Sequence, residues 1–187
     1  MAQLLEAIDK RRAYRALSEK PVESEVKERL MEAATYAPSC SNKQPWRFVL
    51  ADEDAARRKV AETLPGGNYW AEKAPLYVLA VTKPDLDCNL KDRREYALFD
   101  VGMAVMNLQL QAVEEGLRAH PIAGFNDVEL KKAFGIPDEY ILITVVVIGY
   151  PGDPSTLSEK HLESENSKRV RAEKEKVISR NGWKFPQ

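Results

Sequence analysis

At 187 residues the chain has the length of one domain and can bury a core without metal or disulfide staples. Its 28 Lys and Arg balance 29 Asp and Glu for a net charge of -1, which argues against a dedicated nucleic-acid binder. No apolar run approaches the roughly 18 residues of a membrane helix, the two histidines and two cysteines have no zinc-ligand spacing, and none of the nine glycines falls in GxGxxG or a P-loop.

In chain order, residues 2–9 place Leu4, Leu5 and Ile8 on one helical stripe, too short for a signal sequence, which ends in the basic cluster Lys10-Arg11-Arg12. Residues 22–36 repeat Val26, Leu30, Ala33 and Ala34 at helical spacing between Pro21 and Pro38. Residues 46–51 read as a short strand, and residues 52–63 as a helix with Asp52 or Asp54 as N-cap. Residues 65–68 read as a turn or a flexible loop. The unbroken apolar run at 76–81 is a strand buried on both faces.

A charged loop at 83–94 leads into residues 96–117, apolar nearly all round and therefore a helix that must be covered on every side, by a sheet and by a second subunit. A short helix at 128–134 and a second buried strand at 141–148 follow. From residue 152 the tail carries too little apolar surface to fold alone. Trp183 and Phe185 near its end favour docking on a body already built. The whole, residues 1–187, reads as one domain with 152–187 as an extension. Cys40 and Cys88 make no disulfide framework and read as reduced thiols in a cytoplasmic protein.

Three basic clusters stand out: Arg11, Arg12 and Arg15; Lys43 and Arg47; Lys168, Arg169 and Arg171. Each is either solvated charge or a phosphate site, for which the planar guanidinium is well suited. Ala37-Pro38-Ser39-Cys40-Ser41-Asn42-Lys43-Gln44-Pro45-Trp46 is either a capped helix end with an ordinary turn, or a set of carboxamides facing the edge of a heterocycle. In His120-Pro121-Ile122-Ala123-Gly124-Phe125, the small residues leave main-chain N–H groups open to a flat ligand, and the histidine reads as packed rather than as a base.

Taken in order, Arg11-Arg12-Ala13-Tyr14-Arg15, the loop at 37–46, Asp100-Val101-Gly102 with Asn107-Leu108, Pro121-Ile122-Ala123-Gly124-Phe125, Ile148-Gly149-Tyr150-Pro151 and Arg169-Val170-Arg171 resemble the landmarks of the FMN-dependent nitroreductase family. The resemblance implies an α+β fold with a central mixed or antiparallel sheet flanked by helices, a long buried dimer-interface helix and a C-terminal tail wrapping the partner. It implies a homodimer with FMN at the subunit interface. Arg11, Arg12, Ala13, Arg15, Arg169 and Arg171 would hold the ribityl phosphate. Pro38, Ser39, Cys40, Ser41, Asn42 and Gln44 would reach the flavin from the neighbouring subunit, and Pro121, Ile122, Ala123 and Gly124 would face the ring. Ala13 replaces the serine of many relatives and loses a charge-assisted hydrogen bond worth about 1.5–3 kcal/mol. Ala123 stands where some members carry Glu.

The activity implied is ping-pong transfer of hydride from NAD(P)H to a small flat acceptor such as a nitroaromatic or quinone, with no catalytic side chain and no metal. The alternatives are an FMN-storing or sensing protein and a specialised flavin enzyme such as a reductive dehalogenase.

Overall fold

The structure, a computed structural model, describes residues 4–92 and 94–185. The first residues of the expected N-terminal helix, one residue of the 83–94 loop and the last two of the tail lie outside that range.

The first helix is short, α1 (Glu6–Lys10), and α2 (Ser24–Thr35) buries the Val26, Leu30 and Ala34 stripe that its spacing predicts. Strand β1 (Arg47–Ala51) leads into α3 (Asp54–Ala61). Neither candidate aspartate caps α3: the N-cap is Glu53, without a side-chain bond, and Asp52 instead pairs with Lys27 of α2 at 2.5 Å. Strand β2 (Leu76–Thr82), the long helix α4 (Tyr96–Glu114), strand β3 (Arg118–Ile122), α5 (Asp127–Phe134) and strand β4 (Ile141–Gly149) complete the body. Helices α6 (Glu159–Asn166) and α7 (Lys174–Val177) follow.

The sheet runs β1-β2-β4-β3 and every pairing is antiparallel, so of the two expected arrangements the antiparallel one is realised. The two central strands separate two cores. Leu76, Val78 and Ala80 pack with Val146 and Ile148 under α2 and α4, while Tyr77, Leu79 and Val81 pack with Val145 and Val147 on the opposite face with Val60 of α3 and Leu130 of α5. Alternation on a pleated strand explains the unbroken apolar runs: both faces are covered, so both parities are apolar. Leu30 is wholly buried, and truncating it to alanine costs about 2–5 kcal/mol.

Strand β3 is not foreseen by its sequence. It lies at the sheet edge, where Pro121 opposite Val146 sacrifices no central hydrogen bond. Beyond β4 the chain is pinned by the segment before α2: Ser18 N–H donates to Tyr150 O (2.8 Å) and Gly152 N–H to Ala16 O (2.9 Å). A Cβ on Gly152 would stand 2.3 Å from the Leu17 carbonyl carbon, so this contact requires glycine.

The tail expected to wrap a partner divides in two. Its first part docks on its own chain, because the buried Glu165 of α6 accepts from the Arg15 N–H (2.9 Å), the Ala16 N–H (3.3 Å) and Arg118 (2.9 Å). Beyond Arg171 the tail is exposed at Val177, Ile178 and Trp183, and Trp183 packs edge-on against Phe185.

The expectation of reduced thiols is overturned: Cys40 and Cys88 form a disulfide. The turn Cys40–Asn42 and the loop after Pro84–Leu86 converge beside the start of α4, a proximity across 48 residues that no cysteine count reveals.

Candidate functional site

The two ends of the chain meet. Arg11, Arg12 and Ala13, just after α1, line one side of a cavity of about 390 Å³, and Ser167, Arg169 and Arg171, just after α6, line the other. Arg169 builds this junction. Its guanidinium donates to the Asp9 and Arg11 carbonyls (2.6 Å each) and to the Ile8 carbonyl (3.3 Å), the orphan acceptors at the end of α1. Burial, then the nearby charges of Arg169 and Arg171, hold Arg11 below its ordinary pKa. A guanidinium stays protonated regardless, so crowding of cations is relieved only by an anion.

Ala13 contributes no hydroxyl, but Ser167 places one in the same cavity. That hydroxyl donates to Ser164 O (2.9 Å) and accepts from Arg12 (3.3 Å). It therefore orients Arg12 and does not replace the missing donor.

Arg15 stands apart from this group. Its guanidinium lies over the Trp70 ring (5.8 Å), and the residue lines a second cavity of about 330 Å³ with Tyr69, Trp70 and Leu157. Trp70 in turn stacks on His120 at 4.6 Å. Burial pushes the His120 pKa down to about 4, so the ring is neutral near pH 7. Since the Tyr14 carbonyl can only accept, Nδ1 carries the proton in the 3.0 Å contact between them.

Past β3 the chain turns at Ala123 and Gly124, both exposed. Asn68, from the turn Gly66–Ala71, donates its side-chain amide to the Gly124 carbonyl at 2.7 Å. A Cβ on Gly124 would stand 2.9 Å from that amide nitrogen, so a larger residue would force the carboxamide aside. Sequence reading places Asn68 in a plain turn and misses this contact; its only signal was the Pro65-Gly66-Gly67 run that brings it there.

Residues 38–44 are not part of this assembly within one chain. They lead into β1 at one sheet edge, while Pro121 and Ile122 end β3 at the other. Three strand spacings, about 14 Å, separate those edges. The loop is nevertheless firmly shaped. Ser41, Asn42 and Gln44 have φ of 49°, 56° and 50°, each unfavourable without glycine. Cys40 N–H donates to Asp100 Oδ2 (2.8 Å), Gln44 N–H to Ser39 Oγ (2.9 Å), and the Thr82 hydroxyl to Pro45 O (2.8 Å). Asp100 is wholly buried; burial foremost, and then Asp87 beside it, hold its pKa above the ordinary carboxylate range.

A sheet of this order, with an arginine-lined junction of both termini and a strained loop at the far edge, defines a small α+β fold. The nitroreductase family model matches residues 8–150, and the chain belongs to that family. It is similar to the FMN reductase [NAD(P)H] of Bacillus subtilis (25% identical over 171 residues, 83% of this chain and 68% of the relative). It is likewise similar to an NADH dehydrogenase of Thermus thermophilus (26% over 176 residues, 77% and 84%). Among solved structures, an oxidoreductase containing FMN superposes with a TM-score of 0.85 at 29% identity, over 99% of this chain and 95% of that one.

Proposed function

We propose that this protein is an NAD(P)H-dependent FMN oxidoreductase that reduces small flat acceptors in two successive half-reactions, and that it works as a homodimer. The observation that carries this reading is the cavity in which Arg11 and Arg12 meet Arg169 and Arg171, with no glycine loop and with cations crowded enough to favour a dianionic phosphate. FMN, when bound, supplies the hydride-accepting and electron-donating chemistry. The residues present suit it: the cationic cavity takes the phosphate, and the exposed main chain at Ala123 and Gly124, with Asn68 beside it, offers hydrogen-bonding groups to a heterocycle.

The remaining work of the chain is to bind and orient. Neutral His120, locked by Tyr14 and Trp70, fixes the segment between Arg12 and β3 without taking a proton. The other sheet edge is reached by residues 38–44 of a second copy, which supplies the carboxamides of Asn42 and Gln44 and leaves one ring face open to nicotinamide and acceptor in turn.

The test is an FMN titration followed by anaerobic addition of NADH or NADPH. Wild type should bind FMN and lose its visible colour. Arg11→Ala should weaken FMN by about ten- to a hundredfold, one charge-assisted contact, while binding of phosphate-free riboflavin changes little. Protein that binds riboflavin and FMN equally, or holds FMN that neither nicotinamide bleaches, would overturn this reading.

A further inference from the structure

The Cys40–Cys88 disulfide ties the loop just proposed to complete the neighbour's flavin site to the segment after Pro84–Leu86. Three observations set it apart from a structural staple. Both cysteines are only half-buried, and a cavity of about 240 Å³, lined by Asp87, Cys88, Asn89, Arg94 and Tyr96, opens beside Cys88. Thiol–disulfide exchange needs access to one sulfur, and this side provides it.

The second observation concerns hydrogen bonding around the sulfurs. Asp87 and Asp100 are both buried, and Asp87 Oδ2 and Asp100 Oδ1 have no partner among the described residues. A carboxylate oxygen of Asp87 lies within 4.8 Å of both sulfurs. A disulfide has no proton to donate, whereas two thiols have two. The reduced pair is therefore placed to donate to Asp87 where the oxidised pair is not, whereas Asp100, its pKa raised by burial and by Asp87 beside it, can hold a proton of its own.

Third, Ser41, Asn42 and Gln44 hold left-handed backbone next to Cys40. Such conformations persist only where the surroundings over-determine them, and the disulfide is the covalent part of that restraint.

We propose that Cys40–Cys88 is a thiol–disulfide exchange site for dithiols, attacked at Cys88, and that opening it loosens residues 38–44 and weakens flavin retention. In the step, a thiolate of the external dithiol bonds to Cys88 Sγ while the bond to Cys40 Sγ breaks and Cys40 leaves as thiolate. The second thiol of the reagent then attacks its own sulfur in the mixed disulfide and releases Cys88. The reagent ends as a cyclic disulfide, oxidised by two electrons, and its two protons pass through solvent to Cys40 and Cys88. The inference rests on the FMN reading above.

The test uses FMN-loaded protein purified without reductant and then treated anaerobically with dithiothreitol under native conditions. Differential alkylation with mass spectrometry counts the thiols, and flavin fluorescence gives the dissociation constant. Expected are two newly alkylated cysteines and a dissociation constant about tenfold higher, as when the competent loop is populated about a tenth of the time. Cys88→Ser should bind as weakly as reduced wild type and ignore dithiothreitol; reduced wild type gives the same answer should that variant fold poorly. Thiols already free before reduction, a disulfide that the native protein does not surrender, or an unchanged dissociation constant each overturn the proposal. FMN bound equally in both states sinks this inference alone, whereas no FMN in either state sinks the functional reading beneath it.

Discussion

His120 is held between the Trp70 ring and the Tyr14 carbonyl, and burial keeps its pKa near 4 against an ordinary 6.5. Between those values the unfolded chain takes up a proton that the folded chain refuses. The stability tied to this residue is thus complete above about pH 6.5, drains as the pH falls, and is exhausted near pH 4; the difference is worth about 3 kcal/mol. His120→Gln retains a donor for the Tyr14 carbonyl but does not titrate. Urea unfolding across this range should therefore show wild type losing about 3 kcal/mol more than the variant, in addition to whatever carboxylates cost both. Parallel losses would mean the ring is charged, or is reached by water, in the folded protein. Arg118 works at the same scale by another route: its guanidinium bonds the Ala16 carbonyl (2.7 Å) and lies 4.2 Å over Tyr14, so one residue of β3 reads the chain on both sides of Arg15.

Among the elements, α6 matters beyond its eight residues because Glu165 converts it into a clamp on the segment after α1. Glu165→Ala strands Arg118 and two main-chain N–H groups in a buried place, at a cost of about 3–5 kcal/mol. The same change frees Ser167 and Arg169 from their position beside Arg11 and Arg12, so FMN binding should weaken together with the fall in melting temperature. Glu6→Ala, which removes an exposed pair with Lys10, should move neither. A variant that melts early yet binds FMN as before would show that the cationic cavity does not depend on α6. Much of this layout is legible in the sequence: β2, β4, α2 and α4 announce themselves because burial on both faces or along one stripe leaves a strong apolar pattern. Strand β3 is not, since an edge position tolerates Arg118, His120 and Pro121, residues that disguise a strand. Nor are the disulfide, the Asn68 contact and the Glu165 clamp, because each joins residues distant in sequence through the folded chain alone. The terminal basic clusters lie between these cases: their residue types are visible from the start and their meeting is implied by the family resemblance, but the departure of Arg15 to the Trp70 ring shows only in the folded chain.

The whole molecule leaves a particular set of apolar side chains in water. On α1 these are Leu4 and Leu5, flanking its start, and Ile8; on α4 they are Leu98, Phe99 and Met106. The two helices are in contact with each other. In the proposed dimer these side chains, together with the exposed Val177, Ile178 and Trp183 of the tail, would be covered by the second copy. The proposed dimer would thus bury the outer face of α4 and, in the same act, bring residues 38–44 of one subunit to the arginines of the other. Assembly and flavin binding should then be linked, because a ligand held only by the dimer favours the dimer. Phe99→Asp with Met106→Asp places two charges on that face. In sedimentation velocity the double variant should shift from dimer to monomer, and FMN should be lost over the same protein concentrations at which the dimer dissociates. Val128→Asp, more exposed still but on α5, should change neither property. A monomeric double variant that still bound FMN with wild-type affinity would show the site to be complete in one chain, and the loop at the far sheet edge would then need another role.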